Sequence, residues 1–186
     1  FGIQQAINDA REAKRALLFP AGTYIISDTL RCFRWRLWNP VSGKPCPTRF
    51  CAYETHVLVG STLGTTRPVI KLAAIAPSFD DAETPRPMIA FRQFAATDAQ
   101  GNAPMEPTLP LEAPPSFQDD TASLFGEELR GIDFDTSGHA GAAGVYFPAA
   151  QESSVEDVTI EATGSYAGFW GLPGRDMGGA NIEVHG

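Results

Sequence analysis

A spacing constrains this chain more than any single residue does. Between Leu129 and Gly186, the segments Leu-Arg-Gly-Ile-Asp-Phe-Asp, Val-Glu-Asp-Val-Thr-Ile-Glu and Ala-Asn-Ile-Glu-Val-His lie over one another. Ile132, Val158 and Ile182 then fall in line at steps of 26 and 24 residues. Two residues further on, Phe134, Ile160 and Val184 are also apolar, while Asp133, Thr159, Glu183 and then Asp135, Glu161, His185 are polar. Alternation of this kind is a strand pattern, with one face turned inward and the other outward. A second register agrees: Gly144-Val145-Tyr146-Phe147-Pro148 precedes Gly168-Phe169-Trp170-Gly171-Leu172 by 24 residues. Short strands that recur at a fixed period of about 20 residues or more are the signature of a solenoid. Because the repeat carries strands and turns with almost no helical pattern, it predicts a parallel β-helix rather than a leucine-rich or helical repeat.

Upstream of the repeat, Ile3, Ala6, Ile7 and Ala10 stand at helical spacing, with Gln4, Gln5, Asn8, Asp9, Arg11 and Glu12 on the other side. That is a short amphipathic helix ending near Lys14. Strands are expected at Ala16–Phe19 and Thr23–Ile26, joined by the turn Pro20-Ala21-Gly22. A solenoid leaves strand edges and apolar interior open at its end, and a helix laid across the first coil covers both. Residues 1–15 are therefore read as a capping helix.

These residues carry a resemblance. Ile3-Gln4-Gln5-Ala6-Ile7-Asn8-Asp9-Ala10, followed by Leu17-Leu18-Phe19-Pro20-Ala21-Gly22-Thr23-Tyr24, resembles the opening of the pectate-lyase-like β-helix superfamily. Rhamnogalacturonase-like proteins, exo-1,3-glucanases and several phage tailspikes share that opening. The chain begins too late to contain the Asp-Asp-Thr segment that usually precedes it. The resemblance covers roughly the first 26 residues. It implies an all-β fold, a right-handed parallel β-helix (solenoid) with a short N-terminal amphipathic capping helix. It also implies a secreted or extracellular protein with a polysaccharide or oligosaccharide partner.

With 186 residues the chain is long enough for one domain with its own core. Residues 1–186 are read as a single β-helix domain, the N-terminal part of a longer one, with loop insertions at 31–55 and 95–128. Val57–Gly60, Pro68–Ala73 and Met88–Phe91 are the expected strands between them. The first insertion interleaves Arg31, Arg34 and Arg36 with Phe33, Trp35, Leu37 and Trp38. Such a row can stack on a sugar ring and pair with a carboxylated sugar, which makes Trp35, Arg34 and Arg36 substrate-binding candidates. The plainer reading is an edge strand with a basic side and an aromatic side. The Pro-rich 95–128 segment is read as a lid, a contact between subunits of a homo-oligomer, or an ordinary loop. Cys32, Cys46 and Cys51 allow one disulfide and one thiol, or three thiols; with only His56 nearby, the set does not make a zinc site.

Net charge is −8 with no basic stripe, which argues against a nucleic-acid partner. No apolar run approaches the length of a bilayer span. The chemistry-bearing residues gather on the repeat. Equivalent positions on neighbouring parallel strands lie about 4.8 Å apart, so Asp135, Glu161 and His185 form one outward column and Asp133, Thr159 and Glu183 the next. Adjacent carboxylates at that spacing share a proton or need a cation, which suits acid–base work on a glycosidic bond. A lyase would also need a cation to neutralise a uronate, for which Arg130, Arg175 or Ca2+ are candidates; no cofactor is otherwise implied. The plain structural reading is that outward strand positions are simply polar. His139 and Asp176 read as turn residues. Two functions stay open: a glycoside hydrolase or polysaccharide lyase, and a non-catalytic β-helix module for binding or structure, tailspike- or adhesin-like.

Overall fold

The apolar stripe of the N-terminal segment forms helix α1 (Gly2–Glu12), with Ile7 buried and Ile3 packed against the core. Its C-terminus closes on Lys14, which takes a left-handed φ of 53° while the Arg15 N–H returns to the Ala10 carbonyl. In this computed structural model, residues 2–35, 38–39, 44–45, 55–94, 124–172, 174 and 178–186 are described.

Strands follow the helix. They are β1 (Leu17–Phe19), β2 (Thr23–Ile26), β3 (Leu30–Trp35), β4 (Trp38–Asn39), β5 (Lys44–Pro45), β6 (Val57–Gly60) and β7 (Val69–Leu72). After these come β8 (Arg86–Phe94), β9 (Glu128–Arg130), β10 (Asp133–Asp135), β11 (Ala142–Tyr146), β12 (Ser154–Glu161), β13 (Ala167–Phe169) and β14 (Gly178–His185). One sheet has eight strands in the order β1-β6-β9-β12-β10-β7-β2, with β14 also paired to β12. A second sheet runs β13-β11-β8-β3, and β4 pairs with β5. Every pairing in the two larger sheets is parallel.

The repeat register is present in the structure. Phe134 pairs with Ile160 and Ile160 with Val184, while Val145 pairs with Phe169. The column extends upstream through Ile70 to Tyr24. Its inner members Ile70, Phe134 and Ile160 are all at most 1% exposed. At about 25 cal/mol per Å2 of apolar surface, such stacked burial is the main force holding the strands together.

The architecture differs from the all-β right-handed parallel β-helix that the spacing and the resemblance suggest. It is an α/β-type arrangement: a curled half-barrel of eight parallel strands, a second parallel sheet and a helix. The physical reason lies in β12, which pairs with β9 through Ser154–Glu156 and with β10 through Ile160 and Glu161. Strands that read as separate coil walls are thereby fused into one continuous sheet. The sheet bends where the chain adopts left-handed backbone at stacked corner positions: Gly131 (φ 67°), Asp157 (φ 54°) and Asn181 (φ 51°). Glycine, Asp and Asn are the residues that tolerate this conformation, and the Asn181 amide donates to Asp157 Oδ1 at 2.9 Å across the corner. Where the two sheets approach, Gly144 is required, since a Cβ there would lie 2.8 Å from Ile160 Cγ2.

Of the two insertions, the first begins as the edge strand of its plainer reading. Residues 31–35 belong to β3, the edge strand of the second sheet, paired with β8 from Leu30↔Ile89 to Trp35↔Phe94. Residues 95–123 lie outside the described residues, as do Cys46 and Cys51; Cys32 is buried in the core.

Helix α1 does more than cover this edge. The Gln4 amide donates to the Arg31 carbonyl at 2.8 Å and accepts the Arg31 N–H at 2.7 Å, which is the pair of bonds a neighbouring strand would make. One helical face further, Arg11 Nη1 donates to the Phe33 carbonyl at 2.8 Å. Gln4 and Arg11 stand seven positions apart, two helical turns, and so reach alternate residues of one strand edge. Replacing Gln4 with Ala removes both bonds to Arg31 and should destabilise the protein by roughly 1–3 kcal/mol. Chemical denaturation of the Gln4→Ala variant, with Gln5→Ala as the exposed control, measures this.

Candidate functional site

The outward faces of β7, β10, β12 and β14 assemble the strip expected from the repeat. Register sets Lys71 beside Asp135, Asp135 beside Glu161 and Glu161 beside His185. The neighbouring row carries Asp133, Thr159 and Glu183, with Thr159 in register with Glu183.

The side chains do not leave four carboxylates facing one another. The Lys71 ammonium sits 2.5 Å from Asp135 Oδ2, and the Ser137 N–H donates to Asp135 Oδ1 at 3.0 Å. Partial burial pushes the Asp135 carboxyl up, but Lys71 and Ser137 outweigh it and hold the group below its ordinary 3.8. Arg67 serves the second row: Nη2 lies 3.1 Å from Asp133 Oδ1 and 2.8 Å from Thr159 Oγ1, and Nη1 donates to the Asp157 carbonyl at 2.6 Å. The same Asp133 oxygen also accepts the Thr159 N–H at 3.0 Å.

At the far end, His185 bridges two carboxylates, with Nδ1 2.7 Å from Glu161 Oε1 and Nε2 3.5 Å from Glu183 Oε2. Glu161 first, then Glu183, raises the imidazole above its ordinary 6.5. The folded-state value lies above the unfolded one, so this interaction stabilises fully below pH about 6.5 and is lost as pH rises through the folded value. The Asp135 contacts have the opposite sense: their contribution is present above pH about 4 and fades as pH falls through the lowered value.

The other sequence candidates are placed differently. Arg130 lies on β9, in register with Glu156 around the corner from the strip, and pairs with Glu128 at 3.4 Å. The guanidinium at the strip is that of Arg67. Arg36 and Arg175 lie outside the described residues, and the side chains of Arg34 and Trp35 do as well. Among the described residues, no three His, Cys, Asp or Glu side chains are grouped to hold a metal ion, Ca2+ included. Nor is any described helix long and apolar enough to cross a membrane.

Sequence reasoning missed the cations. Aligning Ile70 with Phe134 would have put Lys71 beside Asp135, because both follow the inward residue by one position. It also missed a shared habit of the three histidines: each places Nδ1 against a carboxylate. His139, in a turn, is 2.7 Å from Asp80 Oδ1. His56 and Glu127 are buried at 3.1 Å, with side chains 1% and 0% exposed. Glu127 Oε2 also accepts the His56 backbone N–H at 2.8 Å. The pair joins the starts of β6 and β9. Nothing in the local sequence pairs two residues 71 positions apart.

A third grouping is aromatic. Trp170 stands edge-on to both Tyr146 and Tyr166, each with ring centroids 5.8 Å away, and Tyr166 is 49% exposed. Tyr166 follows Glu161 by one short turn, in which Ser165 Oγ donates to the Thr136 carbonyl.

Compared with family models, curated proteins and solved structures, the chain matches none of them.

Two outcomes are expected at these pairs. In proton NMR titration, the His185 imidazole should titrate above 6.5, and Glu161→Gln should move its midpoint down more than Glu183→Gln does. Replacing Glu127 with Ala leaves the buried His56 N–H and ring without their acceptor and should cost about 3 kcal/mol or more; thermal unfolding of this variant beside Glu128→Ala reads the difference.

Proposed function

We propose that this chain is a non-catalytic module that binds extracellular polysaccharide, with its stacked strands acting as a rigid scaffold. The observation that carries this reading is the neutralisation of the acidic strip. Lys71 holds Asp135, Arg67 holds Asp133, and His185 ties Glu161 to Glu183. Acid catalysis on a glycosidic bond needs a carboxyl group that keeps its proton near the working pH. Asp135 is shifted the other way.

The aromatic row supplies the binding face in this reading. Tyr166 and Trp170 flank β13 of the second sheet and stack edge-on to each other, and aromatic faces bury the C–H surfaces of sugar rings while the sugar hydroxyls stay wet. The resemblance of Ile3–Ala10 and Leu17–Tyr24 to the opening of the pectate-lyase-like superfamily supports the same ligand class without supplying a reaction.

A second reading is a glycoside hydrolase or polysaccharide lyase centred on Glu161 and His185. It is favoured by one observation, an exposed carboxylate–imidazole pair at 2.7 Å. A panel of neutral and uronate-containing polysaccharides separates the two. The binding module should be retained on at least one of them, and Tyr166→Ala should weaken that retention about fivefold or more. Neither new reducing ends nor the ultraviolet absorbance of unsaturated uronates should develop. Turnover that disappears in Glu161→Gln would establish the enzyme instead.

A further inference from the structure

Each ring of the aromatic row rests on a neighbour, and the row ends inside the protein. Trp170 comes directly after β13; because Val145 pairs with Phe169, the next positions, Tyr146 and Trp170, are level. The backbone is fastened on both sides of that level. The Trp170 N–H donates to the Val145 carbonyl at 2.8 Å, and the Phe147 N–H donates to the Gly171 carbonyl at 3.2 Å. Gly171 takes a φ of 86°, and a Cβ there would stand 3.5 Å from Tyr146 Cε2, so the turn lies against the tyrosine ring. These bonds fix where Trp170 starts. They do not fix its ring, which still turns about two side-chain torsions.

Tyr146 supplies that second constraint. It is 4% exposed and clusters with Phe33 and Ala90, with Trp170 packed against the cluster. Tyr146 is in register with Ala90 of β8, and Arg92, two positions further along β8, holds its guanidinium carbon 5.6 Å from the Tyr146 ring centroid. A cation over an aromatic ring is an attractive contact, most of all where water is excluded. Tyr146 is thus held by buried neighbours, and it meets Trp170 edge-on, with ring planes at 67°. Trp170 makes the same kind of contact with Tyr166, at 64°.

We propose that Tyr146 is a positioning residue of the aromatic binding face: it holds the Trp170 ring in place before ligand arrives, so affinity depends on a ring that no sugar touches. The inference rests on the polysaccharide reading and extends its site inward to β11 and β8. A large side chain that becomes ordered only on binding weakens the complex, by roughly threefold to tenfold in affinity. Trp170 avoids that loss as long as Tyr146 keeps its ring.

The test uses the full 186-residue chain with starch, xylan, mannan, polygalacturonate and alginate. On the polysaccharide that retains the protein, Tyr146→Leu should bind about threefold or more weakly while keeping native circular dichroism. Tyr146→Phe, which restores the ring, should restore the affinity. In a Trp170→Ala background, Tyr146→Leu should cause no further loss, because its effect passes through Trp170. If Tyr146→Leu does not fold, fluorine NMR of the fluorotryptophan-labelled protein reads the same property, with the Trp170 line identified by Trp170→Phe. That line should be single and narrow before ligand is added. Retention on none of the five polymers overturns the polysaccharide reading, and this inference with it. Retention with Tyr146→Leu binding as tightly as the unaltered chain overturns the inference alone. So do additive losses in the Trp170→Ala background, or a Trp170 line that is broad or multiple until ligand binds.

Discussion

Parallel stacking in register is the constraint on which the rest of the molecule depends. In a parallel pair, each side chain meets the residue at the same level of the next strand, so one choice of register fixes every column together. The column Tyr24, Ile70, Phe134, Ile160 and Val184 is the visible result. Slipping any one strand by a single residue would turn its apolar set outward and bring its charged set into the core. The cost of that slip, in buried carboxylates and exposed Ile and Phe, is far larger than that of any single hydrogen bond.

Such stacking was legible in the sequence because its signal is local and periodic. The lines through Ile132, Val158 and Ile182 and through Gly144 and Gly168 gave the true neighbours, and β2 and β6 have the bounds that their Thr23–Ile26 and Val57–Gly60 patterns indicate. How the strands close was not legible. A step of 24 to 26 residues fixes which strands are neighbours, but not whether two successive segments form separate walls or one bent strand. That depends on the backbone at Asp157 and Asn181, where ordinary polar residues adopt left-handed φ without a glycine to mark the corner. The same limit hid the His56–Glu127 pair, whose members belong to two loops with no shared period.

Corners and edges carry the consequences of that closure. Bending β12 and β14 through left-handed residues lets a single sheet curl over the core cluster while its pairing continues on both sides of the bend. Curling also separates residues that sequence spacing places together. Arg130 and Asp133 are three positions apart, yet Arg130 lies before the corner and Asp133 after it, so the strip takes its guanidinium from Arg67 instead. The helix meets the β3 edge of the second sheet and closes it with an amide and a guanidinium in place of a strand.

Stacking sets a harder problem for charge than for apolar surface. A column of apolar residues strengthens with every strand added, whereas a column of carboxylates at about 4.8 Å repels itself. The strip resolves this by placing Lys71, Arg67 and His185 among Asp133, Asp135, Glu161 and Glu183. Carboxylates offer only acceptors, so an imidazole that meets one with each nitrogen is best satisfied as the imidazolium, with two N–H donors. This is the physical origin of the raised His185 value. With His185 charged, three cations face four carboxylates, and the strip is close to neutral within a chain of net charge −8. Its carboxylates therefore serve first to hold adjacent strands in line. At Asp135, partial burial raises the carboxyl, but Lys71 on the next strand and Ser137 outweigh it and hold the group below its ordinary value.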